Sequence, residues 1–493
     1  MIDFLLQVFR ESRDKDAIVW RDKVYDYGWL EQRVAHWRQA LETERIPRGA
    51  VVILEADFSP DSVALFLALT EHACILVPLT SSVEAKKAEF FEIAQGEVAF
   101  SVDANDEVRI RRLAGKATHE FYQRLRAEAH PGLVLFSSGS TGKSKAAVHD
   151  LGALLDKFKT RRHSLRTITF LLYDHIGGVN TMLYTLSNAG CIVTVHERSP
   201  DGVLAAVAKQ RVELLPTSPT FINLVLLSEA YRRHDLGSLK TVTYGTEPMP
   251  ESTLKRFHQL FPGIQLLQTY GLSEVGILRS KSRSSDSLWV KIGGEGFETR
   301  VVDNVLQIKA KSAMLGYLNA PSPFTADGWF NTGDAVEVDG DYLRILGRKS
   351  EIINVGGEKV YPAEVESCLQ EMPNVAEVTI YGEKNPITGS IVCARLRLQQ
   401  PEPLTEVRKR LRLFCKEKLA PFKIPAKIVL TDEKLFSERF KKSRVVEAGA
   451  GFGVPASAGG ASSNGKPSQP AEAGTPNRAA PSCGNDSLTK DSE

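Results

Sequence analysis

A short apolar run, Gly132 to Phe136, stops abruptly at Ser137-Ser-Gly-Ser-Thr-Gly-Lys-Ser-Lys145, and this junction constrains the fold more than any other stretch. An apolar run bounded by turn residues reads as a buried strand. The chain must therefore carry a loop of glycine, hydroxyl and lysine residues at the end of a core strand. Gly139 and Gly142 let successive backbone amides turn toward one point and form a concavity for an anion. Ser137, Ser138, Ser140 and Thr141 add hydroxyl donors, while Lys143 and Lys145 add positive charge. That chemistry suits a polyphosphate. Gly142-Lys143-Ser144 imitates the end of the nucleotide loop G-x-x-x-x-G-K-[ST], but the first glycine of that motif would fall on Ser137, so the spacing excludes it. A flexible Gly/Ser linker would share the composition; the downstream segments argue against it.

Apolar stretches such as Val51–Leu54, Ile192–Val195 and Val242–Tyr244 alternate with helix-length segments, which predicts layered α/β structure through the first 340 or so residues. The greasy region from Val63 to Leu79 is broken by Glu71-His72. It divides into a helix, Ser62 to Thr70, and a buried strand, Cys74 to Pro78, rather than a membrane span. Near Arg348 the character changes: a Gly356-Gly357 turn, a helix start at Pro362, strands Val375–Tyr381 and Ile391–Leu398 and a charged helix Thr405–Leu419 describe a small α+β unit. The boundaries predicted are 1–349 for a large N-terminal domain, 350–446 for a small C-terminal domain, and 447–493 for an Ala/Gly/Ser/Pro-rich tail that cannot form a core.

Three further segments carry polar groups after short apolar runs. Gln268-Thr-Tyr-Gly-Leu-Ser-Glu274 offers Tyr270 to stack on a purine, Gly271 for close approach, Ser273 as a hydroxyl donor and Glu274 as a hard oxygen ligand for magnesium. Trp329-Phe-Asn-Thr-Gly-Asp334 ends in a carboxylate suited to a pair of vicinal hydroxyls. Arg348 closes a strand just before the change of character. Each segment alone also reads as an ordinary turn beside a strand.

Taken in this order, the four segments resemble the adenylate-forming superfamily of acyl- and aryl-CoA synthetases, peptide-synthetase adenylation domains and luciferases, over roughly residues 1–445. The resemblance implies an acyl-CoA synthetase-like α/β fold and an ATP-dependent acid–thiol ligase. A fatty or aromatic carboxylate would attack the α-phosphate of ATP, and the pantetheine thiol of CoA or of a carrier protein would then displace AMP. It implies that Ser137 to Lys145 hold the β- and γ-phosphates, that Gly245-Thr246-Glu247 with Gln268, Thr269, Tyr270 and Gly271 enclose the adenine, and that Ser273 keeps the hydroxyl of a usual threonine. It implies Glu274 and Thr141 on the magnesium side, Asp334 and Arg348 at the ribose hydroxyls, and Lys441 as the catalytic lysine, with Lys442 as the alternative register because Phe440 replaces the usual glycine. His175 falls at a position beside the substrate carboxylate and reads as a gate rather than a proton carrier; Asp174 would orient it or cap the next turn. Ser144 and Ala146 replace a proline and a glycine, and Ser350 stands at the hinge position. Non-thiol acceptors, and a nucleotide-binding relative without activity, are the alternatives.

Whole-chain properties fit. The 493 residues carry 62 basic and 60 acidic side chains, a net charge of +2, which gives no argument for nucleic acid or a membrane surface. Six scattered cysteines without a C-x-x-C pair suit reduced thiols and a cytoplasmic setting. Met1 to Arg10 reads as an amphipathic helix rather than a signal peptide. No charge is placed to pair an amino group, which argues against an α-amino acid substrate.

Overall fold

The computed structural model describes residues 1–138, 144–437 and 439–442. Gly139, Ser140, Thr141, Gly142 and Lys143 of the expected phosphate loop lie outside the described residues, as does the tail from 447 onward. The strand Gly132–Ser138 forms where the apolar run places it and pairs antiparallel with Ser144–Asp150, Ser138 standing opposite Ser144. In P-loop proteins the corresponding segment passes from strand to helix, so the pairing agrees with the spacing argument.

Among the described residues, two seven-stranded sheets form the frame of the large N-terminal part. One holds Val51–Glu55, Ile75–Leu79, Val98–Val102 and Gly132–Ser138; the other holds Arg166–Ile168, Cys191–Val193, Leu214–Thr217, Thr241–Tyr244 and Gln265–Gln268, all five parallel. Between the sheets lies the largest apolar cluster, with Val52, Leu54 and Phe100 from one sheet and Ile18 and Ile192 from the other. The helix Pro60–Glu71 runs through it and is buried at every position from Pro60 to Thr70, the environment that a helix apolar on all sides requires. Ser59 caps it by accepting from the Ser62 amide. Alternate residues of the two sheets point the other way: Val51 and Ile53 enter one outer cluster, Leu215, Val242 and Leu266 another.

The α/β expectation fails between Arg279 and Arg348. That stretch is a six-stranded antiparallel sheet, with Trp289–Gly293, Phe297–Val302, Val305–Ala310, Phe330–Asp339 and Tyr342–Arg348 among its strands. Asp303 and Asn304 both take positive φ, 51° and 60°, and join two strands in a two-residue hairpin of the kind that matches strand twist. Beyond a short turn, Lys349–Glu351, the strands Ile353–Val355, Glu358–Val360, Val375–Asn385, Gly389–Leu398 and Lys427–Leu430 form a separate sheet. The helices Pro362–Gln370 and Leu404–Lys416 cover it around a core of Val365, Leu369, Ile380, Leu396 and Leu411. Contacts join both parts into one compact unit from Met1 to Arg444. Among the described residues no helix is long and apolar enough to cross a membrane.

Candidate active site

The C-terminal ends of parallel strands are where an open α/β sheet leaves a crevice, and here they open into a cavity of about 1090 Å³. Strand alternation selects which side chains reach it. Thr241, Thr243 and Gly245 line it from one strand, Gln265, Leu267 and Thr269 from the next, while Val242, Tyr244 and Leu266 face the core behind. Gly245 must stay glycine, because a Cβ there would come within 2.7 Å of Thr269 Oγ1. Thr246, also on the wall, holds φ at +75°.

The opposite wall is the helix Ile176–Ser187, which presents Gly177, Asn180, Thr181 and Tyr184, the spacing of one helical face. His175 caps this helix: its Nδ1 accepts from the Gly177 amide at 3.1 Å. In the neutral ring the proton therefore sits on Nε2. Burial, with Lys441 and Arg439 adding repulsion, holds the His175 pKa well below its ordinary value, so the ring is neutral at pH 7.

Lys441 enters the cavity and brings Nζ to 3.5 Å from His175 Nε2. Burial lowers its pKa to about 8, with Arg439 acting in the same direction and Glu247 opposing it, so at pH 7 the ammonium predominates. Two donors thus approach one point, and what satisfies both is an anionic oxygen between them. The lysine is held by its neighbours. Arg439 pairs with Asp174 at 2.9 Å, the Ser218 hydroxyl donates to the Phe440 carbonyl at 2.7 Å, and the Lys442 amide donates to Glu247 at 3.0 Å. Phe440 takes φ +52°, a conformation in which glycine is easier, and inserts its ring beside Phe170 and Phe221 at 5.2 and 5.3 Å, with Arg198 over its face. Lys442 points away and pairs with Glu366 at 3.1 Å; the geometry favours the Lys441 register.

Asp174 does not orient His175. It is 2% exposed and accepts from Thr80, Ser82 and Arg439. Capping by the imidazole itself leaves the neighbouring carboxylate free to anchor the lysine segment.

Arg348 lines another side of the cavity, and Asp334, buried and not itself on the wall, faces it across antiparallel strands and pairs with it at 2.9 Å. Burial raises the Asp334 pKa, while Arg348 and the Tyr270 hydroxyl, which donates at 2.5 Å, oppose the rise. Glu274 lines the cavity and accepts from the Tyr317 hydroxyl at 2.6 Å; the Lys145 ammonium lies 5.3 Å from the Tyr317 ring centroid. One Glu274 oxygen accepts that bond; the other has no hydrogen-bond partner among the described residues and fits magnesium as a hard-oxygen donor. Ser137, Ser273 and Gly271 also reach the wall.

Three expected adenine residues do not. Gln268 and Tyr270 lie one step out of phase with Leu267 and Thr269, so they point to the other face of their segment; Tyr270 packs with Leu278 and Val290 and serves Asp334 instead. Glu247 turns to Thr220, accepting from its amide and hydroxyl, and to the Lys442 amide. Residues not foreseen are Tyr317, Tyr184 and Arg439, and the cavity-facing strand positions Thr241, Thr243, Gln265 and Leu267. Counting back by twos from Gly245 and Thr269 would have found the strand positions.

Residues 5–307 match the family described as AMP-binding enzyme, and residues 364–441 match its C-terminal domain. An indoleacetate–CoA ligase of Aromatoleum aromaticum is 29% identical over 62% of this chain, a segment spanning 64% of the relative, and so less than two-thirds of its length. A 2-succinylbenzoate–CoA ligase of Bacillus subtilis is 28% identical over 74% of this chain and 78% of its own. The structure of the anthranilate CoA ligase AuaEII in complex with anthranoyl-AMP superposes with a TM-score of 0.74, covering 90% of this chain and 95% of that one at 20% identity, which speaks for the fold.

Proposed function

This chain belongs to the AMP-binding enzyme family, and from that premise we propose that it is an ATP-dependent acid–thiol ligase. A carboxylate oxygen attacks the α-phosphorus of ATP, the bond to the bridging oxygen breaks, and pyrophosphate leaves with the electron pair. A thiol then attacks the acyl carbon of the adenylate and expels AMP. CoA is the thiol favoured by the named activities of the relatives.

The observation that carries this reading is the approach of two donors, His175 Nε2–H and the Lys441 ammonium, to one point inside the cavity. An ammonium placed there stabilises the charge that grows on the carboxylate and phosphoryl oxygens in the transition state, and fixed donors of this kind contribute on the order of 100- to 1000-fold. His175 acts as a second hydrogen-bond donor, since its low pKa leaves it neutral. Asp334 and Arg348 take the ribose hydroxyls; Gly245, Thr246, Thr269 and Gly271 shape the purine slot; Ser137 and Lys145 face the terminal phosphates. Glu274 would hold magnesium, and the ion would supply charge neutralisation on the phosphates; Thr141, the other expected ligand, lies outside the described residues. The Lys349–Glu351 turn, with Ser350 at its centre, is the hinge about which the 350–446 part turns between the two half-reactions.

The test is pyrophosphate release from ATP and magnesium over a panel of fatty, aromatic and amino acids, with and without CoA, in the native chain and in Lys441→Ala. Acid-dependent release that the variant loses, together with a thioester product when CoA is present, is the expected result. Release without a thioester would move the acceptor away from a thiol. No release from any acid would overturn the ligase reading.

A further inference from the structure

Beyond His175 the cavity wall becomes more polar than a hydrocarbon chain needs. Thr181 and Asn180 come from the helix, and Thr243 and Gln265 from the sheet, interleaved with Leu267 and Ile277. Behind this wall stands a cation with neutral partners. Lys157 donates to Asn180 Oδ1 at 2.5 Å and to the Ile277 carbonyl at 3.0 Å, and both acceptor residues line the cavity. No carboxylate lies within ion-pairing distance of Lys157 among the described residues. An ammonium held by neutral oxygens in a protein interior is costly unless something else offsets its desolvation. Burial, with Arg162 adding repulsion, lowers its pKa to about 7.

The same contact settles the orientation of Asn180. An ammonium can only donate, so the amide oxygen must face Lys157 and the Nδ2 group must be the other end. Asn180 sits five residues into a helix capped by His175, which places it about 7.5 Å along the axis from the reacting end. A donor fixed at that depth, backed by positive charge, has no use with an unsubstituted acyl chain, whose methylenes would leave it unsatisfied.

We propose that Asn180, positioned and polarised by Lys157, makes the acyl end of the cavity selective for carboxylic acids that carry a second acceptor oxygen, a carboxylate or a carbonyl, over plain hydrocarbon acids of the same length. This deepens the ligase reading and rests on it. Asn180 is the contacting residue and Lys157 the positioning residue.

The test measures binding of three stable adenylate mimics that share their adenosine end: the sulfamoyladenosines of hexanoate, of adipate and of the monomethyl ester of adipate. Binding needs no turnover, so the result is independent of whether pyrophosphate release succeeds. The native chain is expected to bind the adipoyl and ester mimics about 10- to 100-fold more tightly than the hexanoyl mimic, the range of a hydrogen bond assisted by charge. Adipoyl ahead of the ester identifies a carboxylate as the preferred group; equality of the two identifies a carbonyl. Asn180→Asp, nearly isosteric, replaces the donor with an acceptor that pairs with Lys157; it should weaken the adipoyl mimic far more than the hexanoyl mimic and so shrink their ratio. Lys157→Met should reduce the preference without abolishing hexanoyl binding, and the adipoyl preference of the native chain should decline as pH rises through about 7. Equal binding of hexanoyl and adipoyl mimics by the native chain, or an unchanged ratio in Asn180→Asp, overturns the proposal. Acid-dependent pyrophosphate release decides the ligase reading separately.

Discussion

The nucleotide end and the acyl end of this cavity are built in different ways. At the nucleotide end the polar groups are paired with one another: Asp334 with Arg348 and Tyr270, Glu274 with Tyr317. At the acyl end the Asn180 Nδ2 group makes no hydrogen bond among the described residues, and Lys157 has neutral partners. The first end is a fixed frame that a ligand enters by exchanging partners. The second leaves its hydrogen-bonding capacity for whatever occupies it. Reaction type is therefore set where the protein completes its own network, and substrate choice where it does not.

Substitutions should separate the two ends. The largest effect is expected at their junction. Lys441→Ala should lower kcat for pyrophosphate release about 100- to 1000-fold for every acid accepted, whereas Lys442→Ala should act on the melting temperature through its pair with buried Glu366 and leave kcat near native. Equal losses in kcat would return the register question to Lys442. At the nucleotide end, Asp334→Asn should raise KM for ATP about 10- to 100-fold, the scale of a charge-assisted hydrogen bond, and leave the ranking of acids untouched. A change in acid preference in that variant would break the division between the ends.

The pH profile carries a comparable signal. Lys441 acts as an ammonium, so activity should be full below its pKa of about 8 and fall as pH rises through it, to roughly a tenth one unit above. His175, held neutral by a pKa well below 6.5, should add no loss between pH 8 and pH 7. The rates of the native chain over pH 6 to 10 with saturating substrates check both statements.

The smallest effect concerns Phe440. Its left-handed backbone costs about 1–3 kcal/mol, while ring contacts of this kind contribute about 0.5–1.5 kcal/mol each. With Phe170, Phe221, Phe436 and Arg198 around the ring, the contacts outweigh the strain by a narrow margin. Phe440→Gly should then slow adenylation only about fivefold, because relief of strain offsets most of the lost packing. A faster enzyme would show that the ring restrains the lysine segment rather than seating it.

Much of the fold is legible in the amino-acid sequence. The buried helix that forms over Pro60–Glu71, the strand that forms over Ile75–Leu79, and the elements after Pro362 stand close to where apolar patterning predicts them, since burial on one or both faces leaves a periodic record in the chain. The antiparallel sheet between Arg279 and Arg348 was not legible, because its strands are half exposed and their alternation is diluted by charged residues. At the site, Glu274, Asp334, Arg348 and Lys441 could be named from local segments. Asp174 and Tyr270 were assigned to the wrong partners, and Tyr317 was overlooked, because each acts through a contact distant in sequence.

The amino-acid sequence by itself determined the layered α/β class, the segments that carry the charged groups and the family to which the chain belongs, because these depend on periodicity and on motifs read within a few residues. Only the tertiary structure decided that Gln268, Tyr270 and Glu247 face away from the cavity, that Asp174 holds Arg439, and that Lys157 stands behind Asn180. Strand phase and helix placement, set by the packing of elements remote in the chain, select which side of a motif meets the substrate, and no local stretch of residues encodes that choice.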